Sequence, residues 1–244
     1  MISVVTVCYN SSATIQKTLE SMLAQTYSDF EYIIVDGGSK DGTIEILDHY
    51  IAEFHGRMSY QSEKDHGIYD AMNKGIIRCK GELIGLLNSD DWYEPDTLEN
   101  IVKSYTGADY EVVYGMQRTV LDGKEKEIVF YNHEFLTEHM ISHPSCFVSK
   151  KSYEDLGLYD ADHYKSAADY ELMLRYYFSG KVTFTPVYKI LSNFTPGGIS
   201  GTSVGVIETA ELKYGLGLMS RKKYCITILK ARLNKLIGND WKLH

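Results

Sequence analysis

The chain has 244 residues and lacks the features that mark several large classes of protein. Its four cysteines lie far apart and form no CxxC pair, which argues against a zinc site and a disulfide framework and suits a reducing cytoplasm. The first residues show no basic segment followed by a long apolar stretch, as a signal peptide would. No window approaches the roughly 18–20 consecutive apolar residues of a membrane-spanning helix. We therefore expect a cytoplasmic globular protein.

Two common nucleotide-binding loops are also missing. No GxGxxG pattern follows the first apolar run, so the chain carries no dinucleotide-binding fingerprint. The pattern GxxxxGK[ST] is absent as well, which excludes a Walker-type phosphate loop. Any nucleotide must therefore be bound by different residues.

Positive charge is scarce in most of the chain. The net charge is −8, but residues 211–244 contain eight basic and two acidic side chains, a net of +6, which leaves −14 for residues 1–210. An acidic body disfavours nucleic-acid binding, so we expect no nucleic-acid partner. The basic tail is a separate question.

The first half of the chain alternates between apolar runs of strand length and helical patterns. The runs are residues 2–8, 30–35, 59–62 and 82–87. This alternation predicts an α/β fold with a mostly parallel sheet and helices on both faces. The second half is less regular, with predicted strands at 111–114, 126–131, 146–148 and 182–184, a helix at 167–178, a glycine-rich loop at 196–201 and two final helical stretches. The length allows one large domain, or one domain with an appendage.

The tetrad Asn88-Ser89-Asp90-Asp91 follows the apolar run 82–87. It predicts paired carboxylates at the C-terminal edge of the sheet, where open α/β sheets bind ligands. Carboxylate oxygens are also the ligands that hard divalent cations prefer. Taken alone, the tetrad fits equally well a strand-to-helix turn in which an aspartate caps a helix starting near Pro95.

The ends of the first two strands carry polar side chains beside glycines. Thr6, Tyr9 and Asn10 end the first strand and could surround a planar base. Asp36 ends the second strand, and a carboxylate there can accept a hydrogen bond from an imide N–H or a ribose hydroxyl. The alternative for this second segment is a tight turn in which Asp41 caps the next helix.

The segment 65–75 is the densest polar cluster of the chain. Asp70, Asn73 and Lys74 share one face of a predicted helix, where Lys74 could pair with a phosphate. Asp65 could bond a sugar hydroxyl at the helix start. The alternative is an ordinary capped amphipathic helix with an Asp70–Lys74 ion pair.

Two ionisable residues stand out in the second half. Asp169 lies at the start of the predicted helix 167–178, where a carboxylate is stabilised as the anion and could act as a general base. His143 precedes a proline. The alternatives are helix capping for Asp169 and a structural hydrogen bond for His143.

The order of these segments resembles family 2 glycosyltransferases, over roughly residues 1–200. It is most similar to the bacterial enzymes that build O-antigen, capsule or exopolysaccharide. The resemblance implies a GT-A fold in residues 1–204, with a nucleotide-binding part over about 1–115, an acceptor-binding part over about 116–204, and a basic helical extension at 205–244. It also implies a transferase of the hexosyltransferase type that moves a sugar from a nucleotide sugar, typically a UDP-sugar, to a glycan or a polyprenyl-diphosphate-linked acceptor, with inversion.

The resemblance assigns roles to residues. It implies that Thr6, Tyr9, Asp36 and Asp65 line the nucleoside pocket. Asn88-Ser89-Asp90 stands in place of the family's DxD motif, so Asp90 would bind Mn²⁺ or Mg²⁺ and Asp91 would orient it. Asp169 matches the catalytic base, and residues 196–201 would form a mobile loop near the phosphates. The full set of expected donor residues is Thr6, Tyr9, Asn10, Asp36, Asp65, Lys74, Asn88, Ser89 and Asp90, with His143 and Asp91 towards the acceptor.

The basic tail predicts an amphipathic helix over residues 221–237. Ile226, Leu229, Leu233 and Leu236 fall on one side, beside several lysines and arginines. Such a helix can lie in an anionic membrane interface, so we expect contact with the inner face of the cytoplasmic membrane as one hypothesis. The alternative is that the apolar side packs on the body of the protein.

Two other functions share the general fold class. A sugar nucleotidyltransferase is α/β and uses metal, but its glycine-rich basic loop after the first strand is missing here. A non-catalytic nucleotide-sugar-binding module would not need Asp90 and Asp169, and their presence speaks against it.

Overall fold

The structure is a computed structural model that describes residues 1–197 and 202–236. Strands and helices alternate through the first half, as the apolar runs predict: β1 (Ile2–Cys8), α1 (Ile15–Leu23), β2 (Phe30–Asp36), α2 (Thr43–Tyr50), β3 (Met58–Ser62), α3 (Ile68–Arg78) and β4 (Leu83–Leu86). The second half adds β5 (Trp92–Tyr93), α4 (Thr97–Ser104), β6 (Glu111–Leu121), β7 (Lys124–Val129), β8 (Cys146–Ser149), α5 (Lys150–Leu156), α6 (Ala168–Ser179), β9 (Thr183–Phe194), α7 (Ser203–Gly215) and α8 (Arg221–Leu236).

These strands form one mixed sheet in the order β3-β2-β1-β4-β8-β6-β9-β5, and β7 pairs with β6 beside this path. The first four are parallel neighbours, so their C-terminal ends meet at one edge. β8 joins β4 in the antiparallel direction, and β6 and β9 pair in parallel. The expected mixed, mostly parallel sheet with flanking helices is therefore confirmed.

Two strands are much longer than the sequence predicts. β6 has 11 residues and β9 has 12, whereas the apolar pattern indicated only their first few residues. The later residues of β6 are partly exposed, and so are most of the first eight residues of β9, where the apolar run is broken by Pro186 and Lys189. A strand that is not buried on both faces shows no continuous apolar run, which is why the pattern underestimates it.

The core lies on both faces of the sheet because the side chains of each strand alternate. Val4 belongs to the cluster that packs against α1, α2 and α4, whereas its neighbour Val5 belongs to the cluster that packs against α3, α5 and α6. Buried residues of both clusters are almost completely inaccessible to solvent. Because both faces of the sheet are covered by helices, the edge at which β1, β2 and β4 end is held in a defined position.

The contact between α3 and β1 depends on a glycine. A Cβ atom on Gly75 would overlap the Cγ1 atom of Val5. Gly75→Ala must therefore push the helix off the strand, and overpacking of this kind costs about 1–3 kcal/mol of unfolding free energy. Urea denaturation measures this loss.

A matched control for that prediction lies at Gly215, the last residue of α7, where a Cβ atom would meet nothing within 4 Å. We expect Gly215→Ala to leave the unfolding free energy unchanged or slightly raised, because alanine is the better helix former. Equal losses in the two variants would contradict this account of α3 packing.

The last two helices pack on one another. The hydroxyl of Ser203 donates to the carbonyl oxygen of Ala231 over 3.1 Å, and the rings of Tyr214 and Tyr224 stack with centroids 4.5 Å apart. The apolar residues predicted for one side of α8 are exposed, with Leu229 61% and Leu236 81% accessible. The structure therefore does not bury this side on the body. Within the described residues, no helix has the length and apolar content needed to cross a bilayer.

Candidate active site

A cavity of about 550 Å³ opens at the edge where β1 and β4 end, and we call it the pocket. Its volume is in the range typical of small-molecule sites. Eight of the twelve predicted site residues line it: Tyr9, Asn10, Asp65, Asn88, Ser89, Asp90, His143 and Asp169. The pocket thus joins strand ends from the first half of the chain to residues of the second half.

The end of β1 meets the tetrad at the pocket through side-chain hydroxyls. Asn10 adopts a left-handed backbone conformation (φ 49°), which asparagine tolerates better than most residues. Its Oδ1 atom accepts a hydrogen bond from the Lys40 amide over 2.9 Å. The hydroxyls of Ser11 and Ser89 lie 2.8 Å apart. Tyr9 remains 64% exposed, with its ring free to cover a ligand.

Asn88 and Asp90 present oxygen atoms near the pocket. The Oδ1 atom of Asn88 is buried and has no hydrogen-bond partner among residues 1–197 and 202–236. An acceptor in that state is costly unless a ligand supplies a donor or a cation. Burial raises the pKa of Asp90 above its ordinary value, because the charged form loses solvation. A positive charge beside Asp90 would relieve that cost.

Asp91, expected towards the acceptor, is not among the residues that line the pocket. Its side chain is inaccessible to solvent. Its Oδ1 atom accepts the Thr195 amide over 3.1 Å, and the Thr195 hydroxyl donates to the carbonyl oxygen of Asp90 over 3.0 Å. Burial, followed by the charge of Asp90, raises the pKa of Asp91 well above its ordinary value. Asp91 thus ties the tetrad to the end of β9.

Thr6 and Asp36 lie outside the pocket, because both are fully buried in the sheet. The Thr6 hydroxyl accepts a hydrogen bond from Tyr32 over 2.9 Å. Asp36 accepts the Ser39 amide over 2.9 Å and the Ser62 hydroxyl over 2.6 Å. Burial acts to raise the pKa of Asp36, but these hydrogen bonds outweigh it and hold the pKa below its ordinary value. Asp36 thus holds the turn after β2, whereas Thr6 is engaged within the sheet.

Lys74 also lies outside the pocket. Its Nζ atom is 3.2 Å from Asp70 and 3.3 Å from Glu63, in two ion pairs. It also donates to the carbonyl oxygen of Lys64 over 3.3 Å. The ammonium group is thus engaged by carboxylates, as in the amphipathic-helix alternative, and the expected phosphate contact stays a prediction.

Asp65 stands where the β2 loop approaches α3. Its Oδ1 atom accepts the Gly67 amide over 3.0 Å. A Cβ atom on Gly37 would lie 2.6 Å from the Oδ2 atom of Asp65 and 3.3 Å from the Tyr9 ring. The absence of a side chain at Gly37 therefore lets Tyr9 and Asp65 come together on one wall of the pocket.

Asp169 is oriented by a tyrosine that the sequence did not single out. The Tyr69 hydroxyl donates to the Oδ1 atom of Asp169 over 3.0 Å, and the Tyr170 amide reaches the same atom over 2.9 Å. Both hydrogen bonds fall on Oδ1, so Oδ2 is the oxygen that can receive a proton. Burial, together with the charge of Asp169, raises the pKa of Tyr69 above its ordinary value, so this hydroxyl stays a donor.

His143 belongs to a partly buried group of hydrogen-bonded side chains that includes Tyr159 and Asn73. Its Nε2 atom lies 3.0 Å from the Tyr159 hydroxyl. Asn73 holds Tyr159 in place, because its Nδ2 atom donates to the Tyr159 carbonyl over 2.9 Å and its Oδ1 atom accepts the Tyr159 amide over 3.1 Å. Burial lowers the pKa of His143, opposed by the charge of Asp169, and keeps the imidazole neutral at pH 7.

The family of the chain follows from comparison with known sequences. A sequence model of the family described as "Glycosyl transferase family 2" matches residues 3–157, which is more than half of the chain. The chain belongs to glycosyltransferase family 2. An uncharacterised glycosyltransferase of Mycobacterium tuberculosis is 34% identical over 181 residues, covering 71% of this chain and 68% of the relative. The protein is therefore a transferase.

Solved structures share the architecture of this family 2 glycosyltransferase. A fragment of S. aureus TarS in complex with UDP-GlcNAc is 18% identical, with a TM-score of 0.71, and the match covers 97% of this chain and 72% of that one. The mannosyltransferase PcManGT of Pyrobaculum calidifontis, in complex with GDP-Man and Mn²⁺, is 19% identical, with a TM-score of 0.67, covering 99% and 71%. At these identities the likeness shows the fold alone, and it confirms the expected GT-A fold.

A hard divalent ion in the pocket would need ligands beyond the protein side chains. No group of three or more histidine, cysteine, aspartate or glutamate side chains in the described part of the glycosyltransferase is arranged as a metal cage. Mg²⁺ is commonly held by one or two carboxylates together with substrate phosphates, rather than by a protein cage. Asp90 lines the pocket and offers one carboxylate to a site of this kind.

Proposed function

We propose that this chain is an inverting, divalent-metal-dependent glycosyltransferase that uses a UDP-sugar. One observation carries the proposal: Asp90 and Asp169, from opposite halves of the chain, line the same pocket. A metal-binding carboxylate and a general base on one cavity are what a single displacement at an anomeric carbon requires. The proposed acceptor is a hydroxyl of a glycan or of a polyprenyl-diphosphate-linked glycan in bacterial surface polysaccharide synthesis.

The donor site is proposed to follow the strand ends. Tyr9 covers the base, and Asp65 accepts hydrogen bonds from the nucleoside. Asn88 receives a ribose hydroxyl on its unpartnered Oδ1 atom, and Ser89 donates towards the diphosphate. We leave Thr6, Asp36 and Lys74 out of these proposed contacts, because their polar groups already have partners within the protein.

The proposed metal, Mn²⁺ or Mg²⁺, would be held by Asp90 and by oxygens of the donor diphosphate. When bound, such an ion neutralises negative charge on the leaving group. The burial that raises the pKa of Asp90 supports this role, since a cation would stabilise the ionised carboxylate. Asn88 replaces a carboxylate of the usual motif and brings one less negative charge.

The proposed reaction is a single in-line displacement. The acceptor oxygen forms a bond to the anomeric carbon while the bond from that carbon to the phosphate oxygen breaks, and the electron pair leaves with the nucleoside diphosphate. The acceptor proton passes to the Oδ2 atom of Asp169, because Oδ1 is occupied by Tyr69 and Tyr170. His143, neutral at pH 7, lines the same pocket as Asp169 and is proposed to face the acceptor.

A panel of nucleotide sugars tests the proposal. Isothermal titration calorimetry with Mn²⁺ present should show binding of a UDP-sugar, and weaker binding of the same donor when EDTA replaces the metal. A stronger response to a donor with another base would correct the nucleotide. The absence of binding by every donor would refute the proposal.

We also propose that α8 rests on an anionic membrane surface. Leu229 and Leu236 are exposed on a helix whose charged side chains are all basic, and the body of the protein is acidic. Basic residues beside an exposed apolar strip favour the interface of anionic lipids. A lipid-linked acceptor would then be available at the same surface.

The membrane proposal predicts a loss of vesicle binding in the double variant Leu229→Ser/Leu233→Ser. Each leucine should contribute about 1.5 kcal/mol, so co-sedimentation with phosphatidylglycerol vesicles should weaken by about a hundredfold in all. The control is Leu216→Ser, at an exposed leucine that lies before α8. Unchanged co-sedimentation of the double variant would refute the membrane contact.

A further inference from the structure

A carboxylate of α7 is bound by three consecutive backbone amides that lie immediately before α6. The Oε2 atom of Glu208 accepts the amide of Ser166 over 2.8 Å and that of Ala167 over 3.1 Å. The Lys165 amide reaches Oε1 over 3.0 Å and Oε2 over 3.1 Å. Successive amides that converge in this way form a concave anion site. Here its occupant is a side chain of the same protein.

These amides lie just before Asp169 in the chain. α6 begins at Ala168, and its N-cap residue is Ala167, whose side chain cannot cap the helix. Ser166 itself lines the pocket. The backbone that presents Asp169 is therefore fixed from outside, by a charged group of a helix that follows it in the chain.

Glu208 lies outside the part of the chain that the resemblance assigns to the catalytic domain. Glu208 belongs to α7. It therefore lies in segment 205–244, which the family resemblance implies to be an extension outside the glycosyltransferase domain. Leu212, one turn further along α7, is buried in the same core cluster as Leu172 and Met173 of α6. Charge and packing both join α7 to the helix that carries Asp169.

We propose that Glu208 is a positioning residue for Asp169, so that α7 completes the active site. This inference rests on the proposed function, in which Asp169 takes the acceptor proton. Glu208 is not a catalytic residue, because its carboxylate is occupied by the three amides. Its effect is to set the direction in which the start of α6, and with it Asp169, faces the pocket.

A positioning role for Glu208 can be distinguished from a purely structural role by its effect on the kinetics. A support residue lowers stability and all functions together. A positioning residue for Asp169 lowers the rate of the chemical step and leaves donor binding intact, because the proposed donor contacts come from the strand ends of the first half. The split between kcat on one side and donor KM and UDP affinity on the other separates the two roles.

The test compares Glu208→Gln with Glu211→Gln, a substitution of an exposed residue on the same helix. Glutamine keeps the size of the side chain, loses its charge and turns an NH₂ group towards the amides. Hydrogen exchange should become faster at residues 165–167 in Glu208→Gln alone. We expect kcat for UDP release to fall by about 10- to 100-fold, since a displacement on the order of 1 Å can cost that much. Donor KM and UDP affinity by calorimetry should stay at the wild-type level.

The outcomes are distinct. If the wild type releases UDP and Glu208→Gln does so at the same kcat, the positioning role is refuted while the proposed function stands. If kcat and UDP affinity fall together, Glu208 is a structural residue only and the inference is also refuted. If the wild type releases no UDP from any donor, the proposed function itself fails, whatever the exchange at residues 165–167 shows.

Discussion

Asp169→Asn should stop sugar transfer while leaving the donor bound. Asparagine has the shape of aspartate, and its Oδ1 atom can still accept from Tyr69, but it cannot take a proton from the acceptor hydroxyl. General base catalysis contributes about 10²- to 10⁴-fold, so kcat should fall by that order. The kcat is measured as UDP release in the presence of acceptor, and UDP affinity is measured by calorimetry.

The matched control for this prediction is Asp162→Asn, an exposed residue of the turn that precedes α6. It should transfer sugar at the wild-type rate. An Asp169→Asn variant with full activity would show that another group accepts the proton. A variant that also loses UDP binding would place Asp169 in the donor site instead.

Asp90→Ala should remove the effect of metal on donor binding. Wild-type affinity for UDP should be higher with Mn²⁺ than with EDTA, whereas the variant should bind UDP equally in the two conditions. Charge stabilisation by a metal is worth several kcal/mol, which corresponds to a loss in kcat/KM on the order of 10²- to 10³-fold. Calorimetry and UDP release measure the two effects.

Asp96→Ala is the control for Asp90, because Asp96 is exposed shortly after the tetrad and makes no capping hydrogen bond with its side chain. Its UDP affinity should respond to Mn²⁺ as the wild type does. A metal response retained in Asp90→Ala would contradict the proposed ligand, and would direct attention to other oxygens of the pocket.

The first half of the fold could be predicted from the sequence because its strands are buried on both faces. Such strands read as continuous apolar runs, and the polar residues that end them must gather at one edge of a parallel sheet. This is how Tyr9, Asn10 and Asn88 could be placed near one pocket before the structure was known. β6 and β9 gave a weaker signal because half of their length is partly exposed.

The sequence could not tell which polar residue of a motif faces the ligand. Asp36 and Lys74 stand in segments that meet the pocket, yet their charges are taken up by Ser39 and Ser62 in one case and by carboxylates in the other. Whether a polar side chain faces the pocket or bonds within the protein depends on the packing of the side chains around it. A motif therefore locates the site, and the partners of each residue decide its part in it.

The residues that orient Asp169 were missed for a related reason. Tyr69 is 100 residues away along the chain, and Glu208 is 42 residues from Ser166. No periodic pattern or local spacing connects such positions. A tyrosine within the polar segment 65–75 and a glutamate in the basic extension show no link to Asp169 in the sequence, because only the fold brings α3, α6 and α7 together.

UDP release in one assay is the most direct test of the account. Wild type, Asp90→Ala and Asp169→Asn are incubated with a panel of nucleotide sugars, Mn²⁺ and a polyprenyl-diphosphate-linked glycan acceptor. We expect the wild type to release UDP from at least one UDP-sugar and both variants to release it far more slowly. Equal release by all three proteins would contradict the central claim that these two carboxylates carry out metal-dependent sugar transfer in a shared pocket.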